Sequence, residues 1–162
     1  MAAGDILRTD LYVSEKVLVK ENEDIELGEL ICDDGSGNGF VAATAALAKT
    51  GLKVYMAEEA HDYSEVSYHY IRATLLGKVT VQKVSGSGAA KHGDKAMLSA
   101  TPGEATKFVK GDLPAGGVST YYTSTIETNA QAAVDTNLGI IGTVAADAAD
   151  ADTTMDIWLG VI

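Results

Sequence analysis

The sequence predicts a mainly β protein, a small β-barrel or β-sandwich with an extended N-terminal arm and one or two short helices. Apolar residues recur at period two in short segments, as Val79 and Val81 do within IRATLLGKVTVQKV. Glycine-containing turns such as SGSG and TPGEA separate these segments at intervals of roughly 8–12 residues. Such spacing is typical of antiparallel barrels and sandwiches rather than of layered α/β sheets.

The predicted arm covers residues 1–22, and residues 23–162 form a single β-rich domain. Within YVSEKVLVKENED the apolar residues alternate with polar ones, which indicates an extended arm or an edge strand. The segment DIELGELICDDG alternates in the same way on either side of Gly28, where we expect a turn or bulge.

Later segments continue the β pattern. KAMLSA, TKFVKGD and GGVSTYYTSTI are predicted strands, and LGIIGTVAADAADADTTMDIWLGVI predicts two strands around an acidic turn. In the last strand Met155, Ile157, Leu159 and Val161 share one face, and Trp158 lies on the other. The stretches predicted to be helical are Val41–Lys49 and Glu127–Val134.

Composition limits the classes of partner. The chain has 162 residues, enough for one domain, and its 23 acids against 12 bases give a formal charge of -11. This charge argues against binding to nucleic acid or to anionic membranes. The start MAAGDILRTD is not a secretory signal, and no apolar stretch reaches the ~20 residues of a membrane helix, so we expect synthesis in a cytoplasm.

The glycine loop after the segment LICDD leaves an enzymatic alternative open. Gly37, Gly39 and Ala42 satisfy the G-x-G-x-x-A pattern of dinucleotide-binding folds, within a glycine-rich loop spanning 35–39. Glu58 or Glu59 stands near the distance expected for the acid that binds the ribose. Against this alternative, the sequence after residue 59 supplies mainly strands instead of repeated strand-helix-strand units.

The same loop resembles a calcium site in part. Asp33, Asp34 and Asn38 could supply oxygen ligands, but Ala45 occupies the position at which an EF-hand loop has its bidentate glutamate. A complete EF-hand is therefore excluded, and a weak surface calcium site stays possible. The two aspartates also raise the cost of placing a pyrophosphate at this loop.

Other candidate chemistry is sparse. His61, His69 and His92 lack metal-ligand spacing, and no G-x-S-x-G motif frames a nucleophile, so we predict a protein that is not an enzyme and needs no cofactor. Cys32, the only cysteine, is expected to be a buried structural thiol. Tyr68 and Tyr70 fall on one face of a strand and are expected in the core or in a subunit interface.

Four segments together resemble the small head decoration, or cement, proteins of tailed viruses. They are ENEDIELGELICDDGSGNGFVAATA, LKVYMAEEAHD, GKVTVQKVSGSGAAKHGDKAML and GIIGTVAADAADADTTMDIWLG. The resemblance covers most of the chain from Glu21 to Gly160. It lies in the residue composition of the segments and in their order along the chain, not in one diagnostic motif.

The resemblance implies a mostly β protein, often homotrimeric, that binds the major capsid protein on the exterior of an expanded icosahedral shell. The family has no catalytic residues to transfer. Its capsid contacts commonly use the N-terminal arm, which here contains Ile6, Leu7, Leu11 and Tyr12. Another virion component, such as a tail or spike module, is the remaining alternative.

Overall fold

The computed structural model describes residues 3–4, 12–48, 50–109 and 139–160, and these confirm the predicted mainly β fold. The described part contains nine strands and one short helix. The elements are β1 (Val13–Leu18), β2 (Leu30–Asp33), β3 (Phe40–Ala42), α1 (Ala45–Ala48), β4 (Val54–Ala57), β5 (Tyr70–Gln82), β6 (Lys95–Leu98), β7 (Ala105–Lys107), β8 (Ile140–Val144) and β9 (Thr154–Leu159).

All ladders between these strands are antiparallel, and they form a curled sheet in the order β3-β2-β4-β5-β9-β8-β6-β7. The long strand β5 joins the two halves of this sheet. Its first half pairs with β1 and β4, and its second half pairs with β9. Single bridges from Val19 to Phe40 and from Lys83 to Ala105 bring the outer strands β3 and β7 back toward the centre.

Two buried clusters lie on opposite faces of β2 and β4. Leu30, Cys32 and Met56 belong to the larger cluster, together with Val79 and Ile157 from the second half of the sheet. The smaller cluster contains Ile31 of β2 and Tyr55 and Ala57 of β4, whose side chains point to the other face, together with the inward residues of β1 and the first half of β5. It comprises Val17, Val19, Ile25, Ile31, Tyr55, Ala57, Ile71 and Ala73. Since both faces of β2 are covered, its three consecutive residues Leu30, Ile31 and Cys32 are buried, and Asp33 at its end is partly exposed.

The helix predicted over Val41–Lys49 is wrong in its first part. Phe40–Ala42 forms strand β3 because the chain turns back at the glycine loop and pairs with β2. Helix α1 begins only at Ala45, where the Thr44 hydroxyl accepts a hydrogen bond from Leu47 N at 3.2 Å. The predicted helix Glu127–Val134 and the segment GGVSTYYTSTI lie outside the described residues.

The described strands agree with the sequence patterns at both ends of the chain. In β9, Met155, Ile157 and Leu159 are buried on one face as predicted, and Val161 lies outside the described residues. Strand β1 occupies part of the predicted arm and pairs with β5 as an edge strand. Among the described residues, no helix has the length and apolar character needed to cross a membrane.

Candidate functional site on strands β1 and β5

The outward face of β1 and β5 carries a group of large exposed side chains. Inward residues Val17 and Ile71 are buried, so the alternation of the strands turns their neighbours toward solvent. Leu18 pairs with Tyr70, and Lys16 pairs with Arg72. We use the term β1–β5 surface for Lys16, Leu18, Tyr68, Tyr70 and Arg72.

The apolar members of the β1–β5 surface are exposed well beyond what a core position allows. The exposed fractions are 38% for Leu18, 60% for Tyr68 and 44% for Tyr70. The two tyrosine rings lie 5.3 Å apart between centroids, and Lys16 Nζ is 5.7 Å from the centroid of the Tyr68 ring. Tyrosine combines a large apolar area with a polar tip, and it is enriched in protein interfaces. These two tyrosines are therefore not core residues, and an interface role stays a prediction.

Charged groups border the same surface. Arg72 Nε is 3.5 Å from Glu58 Oε2, while Lys16 forms no ion pair within the described part of the chain. Tyr12, which the resemblance places in a capsid contact, donates its hydroxyl to the Glu58 carboxylate. The Thr74 hydroxyl also donates to that carboxylate, at 3.0 Å. Tyr12 therefore links the arm to the border of the β1–β5 surface.

The other predicted contact residues, Ile6, Leu7 and Leu11, lie outside the described residues. The sequence identified Tyr68 and Tyr70 as sharing a face, but it did not show that the face is solvent-exposed. The sequence also gave no sign of Lys16 and Arg72 beside them, because the pairing of β1 with β5 brings together segments more than 50 residues apart.

The glycine loop joins two antiparallel strands, β2 and β3. The helix in this region follows β3, so the described residues lack the strand-loop-helix arrangement that holds a pyrophosphate. A side chain at Gly39 would place its Cβ 2.7 Å from Lys20 N. The close approach of the chain at residues 19–20, where Lys20 N donates to Phe40 O at 3.0 Å, explains this glycine.

The candidate calcium ligands bind their own loop. Asp33 Oδ1 accepts a hydrogen bond from Gly35 N at 2.8 Å, and Asp34 accepts bonds from the backbone and hydroxyl of Ser36. Asn38 Nδ2 donates to the Ser36 hydroxyl at 2.7 Å. These bonds fix a turn of the type that aspartate residues favour.

The pKa of Asp34 lies well below its usual value, first because of the hydrogen bonds from Ser36 and then because of Lys20, whose Nζ is 3.2 Å away. A carboxyl with a lowered pKa in the folded state contributes stability above its ordinary pKa, and this contribution is lost as the pH falls through the lowered value.

Asp34→Asn is therefore expected to flatten the acid dependence of stability. Urea unfolding measured from about pH 5 to about pH 2 spans the ordinary aspartate pKa and should show a smaller loss in the variant than in the wild type. Glu65→Gln, which changes an exposed carboxylate, is the control and should keep the wild-type slope. Parallel slopes for Asp34→Asn and the wild type would contradict the expected coupling.

The structure brings together two histidines that the sequence separates by eight positions. His61 Nε2 lies 3.2 Å from His69 Nδ1, and the Tyr63 ring stacks on His69 with centroids 3.9 Å apart. His61 and His69 meet because the loop between β4 and β5 leaves the sheet and then returns to it. A search for short metal-ligand spacings in the sequence does not detect this contact. No group of three or more histidine, cysteine or acidic residues with metal-binding geometry occurs in the ranges that the structure describes.

The remaining candidate groups have structural partners. Cys32 is buried, as predicted, and burial raises the pKa of its thiol to about 11, so the thiolate nucleophile is scarce at neutral pH. In the acidic turn, Asp147 pairs with Lys91 at 2.9 Å, and Asp150 Oδ1 accepts a bond from Gly88 N at 2.6 Å.

No protein-family model matches the sequence, and no curated protein matches it significantly. The residues and their geometry are therefore the basis on which a function is inferred.

Proposed function

We propose that the chain is a structural decoration protein that binds the major capsid protein on the exterior of an expanded icosahedral viral shell and stabilises contacts between capsomers. The observation that carries this proposal is the β1–β5 surface, where Leu18, Tyr68 and Tyr70 are exposed together. Scattered exposed apolar residues are ordinary, whereas a contiguous group marks a binding surface.

The position of this surface supports a contact that continues from the arm. Tyr12 lies at the border of this surface, because its hydroxyl donates a hydrogen bond to Glu58, which also pairs with Arg72. The arm is the segment that head decoration proteins commonly use to contact the shell, according to the resemblance in sequence. A partner held by the arm would therefore lie beside the two tyrosines.

Charge supports a protein partner with acidic groups. The chain has a net charge of -11, yet Lys16 stands on this surface beside Arg72, whose charge is partly balanced by Glu58. Complementary charges guide the approach of a partner and fix its orientation. Many copies on one shell add their individually weak contacts, so modest affinity per copy is sufficient to stabilise the particle.

The experiment is a binding titration of the purified chain against expanded, undecorated shells of the virus that encodes it. We expect saturation at a stoichiometry that follows the shell symmetry, with three copies at each local three-fold position. The double variant Tyr68→Ser/Tyr70→Ser should bind about tenfold more weakly or worse, because truncated interface aromatics are frequent binding hot spots.

Val109→Ser is the matched control, since Val109 is also an exposed apolar residue and lies after β7, outside the β1–β5 surface. It should bind as the wild type does. Failure of the wild type to saturate would refute the decoration function. If the double tyrosine variant binds as tightly as the wild type, the β1–β5 surface is not part of the contact, and the arm would be the only contact segment proposed.

A further inference from the structure

The loop between β4 and β5 holds two imidazoles in fixed positions. His61 and Ile25 exchange two backbone hydrogen bonds, with N to O distances of 2.8 and 2.9 Å. The carbonyl oxygen of His69 accepts a hydrogen bond from Val19 N at 2.8 Å. Both histidine backbones are therefore anchored to the chain segment that follows β1, and their side chains are presented to each other before any ligand binds.

The distance between the two imidazoles matches the distance between two ligands of one metal ion. His61 Nε2 and His69 Nδ1 are 3.2 Å apart. Two imidazole nitrogens bound to a tetrahedral zinc ion at 2.0–2.1 Å lie about 3.3 Å from each other. A metal ion could therefore bind without a change in the separation of the two nitrogens. The ion would lie off the line that joins them, so both rings would turn to direct their lone pairs at it and the shared proton would be released.

Electrostatics around the pair favour a cation. Two acidic residues lie near the pair: Asp62 follows His61 directly in the sequence, and Asp24 accepts a hydrogen bond from the backbone of Tyr63, whose ring stacks on His69.

Neighbouring groups also hold the second ring in place. The Tyr63 ring stacks on His69 with an interplanar angle of 13°, and Tyr63 N donates to Asp24 Oδ1 at 2.9 Å. Groups that orient ligand side chains in this way raise the affinity of metal sites.

We propose that His61 and His69 form a binding site for a borderline divalent transition metal ion, for which Zn²⁺ is the test ion. Two protein ligands leave the other coordination positions to water, so the affinity is lower than that of sites with three or four protein ligands. A bound ion would tie together the two ends of the loop that leads to Tyr68. The proposal stands independently of the capsid function.

Calorimetric titration of the full chain with zinc chloride tests the site. We expect one saturable zinc ion per chain, and binding about tenfold weaker or worse in His61→Gln and in His69→Gln. His92→Gln is the matched control, because His92 is exposed in a separate turn, where its backbone N donates to Asp147 Oδ1 at 2.8 Å. It should bind zinc as the wild type does.

Histidine ¹⁵N spectra provide a readout that a purely structural role would not change. Zinc should shift the ¹⁵N resonances of His61 Nε2 and His69 Nδ1 and leave the His92 resonances in place.

The decisive variant is His69→Gln, because His61 is buried and its variant could fail to fold, whereas the side chain of His69 is partly exposed. The absence of saturable binding by the wild type, or wild-type zinc affinity in a folded His69→Gln, would overturn the proposal.

Discussion

Lys83→Met is expected to lower the free energy of unfolding by about 3 kcal/mol. Lys83 is 2% exposed, and its Nζ donates to three backbone carbonyl oxygens. The distances are 3.1 Å to Val84 O, 3.0 Å to Asp150 O and 3.3 Å to Asp152 O. This one side chain therefore connects the end of β5 to the acidic turn before β9.

Methionine would fill a similar volume but provide no donor. Val84 O and Asp150 O keep other donors, from Ser87 Oγ and Gly86 N, but in the described structure no second hydrogen bond reaches Asp152 O. Asp152 itself is exposed, so water can reach this part of the turn, and the expected loss comes from the three charge-assisted bonds of Lys83. The turn should also be held less firmly, although Ser85 Oγ would still donate to Ala151 O at 3.2 Å and Gly88 N to Asp150 Oδ1 at 2.6 Å.

Chemical denaturation measures this effect directly. Lys78→Met is the matched control, because Lys78 lies within β5, the strand that ends just before Lys83, is half-buried and has no hydrogen bond from its side chain in the described residues. It should change stability by no more than about 0.5 kcal/mol. Equal stability of the two variants would show that the three carbonyl contacts contribute nothing.

Gly142→Ala is expected to be of similar severity, with a loss of about 3 kcal/mol. Gly142 lies in β8, which pairs with β6 on one side and β9 on the other. A Cβ at this position would overlap the carbonyl oxygen of Trp158 and lie 3.0 Å from its carbonyl carbon. Because the obstructing atoms belong to the backbone, no side-chain rotation relieves the overlap, and β8 and β9 must separate.

Gly37→Ala provides the comparison for this variant. Gly37 has a φ of +77° but no heavy atom within 4 Å of a Cβ, so alanine there suffers only backbone strain of about 1 kcal/mol. Thermal and urea unfolding should therefore rank the variants with Gly142→Ala clearly less stable. The opposite order would mean that the central strands accommodate a methyl group without separating.

The fold was predictable where a local pattern determines it. Period-two alternation identified β2, the second half of β5 and β9, and the turn residues marked their ends. It failed at Phe40–Ala42, where an alanine-rich sequence suited to a helix forms a strand instead. Pairing with β2 overrides local propensity there, and a single sequence contains no direct record of that pairing.

The candidate site was less predictable because its parts come from separate segments. The sequence showed that Tyr68 and Tyr70 share a face, and only the register of β1 against β5 shows Lys16 and Arg72 next to them. The His61–His69 contact depends in the same way on how the loop returns to the sheet. Local spacing predicts chemistry within one element, whereas these groups meet across elements.

The position of β9 has a consequence for synthesis of the chain. This strand is the last one described, yet it lies between β5 and β8 in the sheet. During translation, β5 and β8 cannot complete their pairing until residues 154–159, which form the strand between them, have left the ribosome. Incomplete chains therefore expose unpaired strand edges and apolar faces. These surfaces make unfinished chains targets for chaperones and proteases.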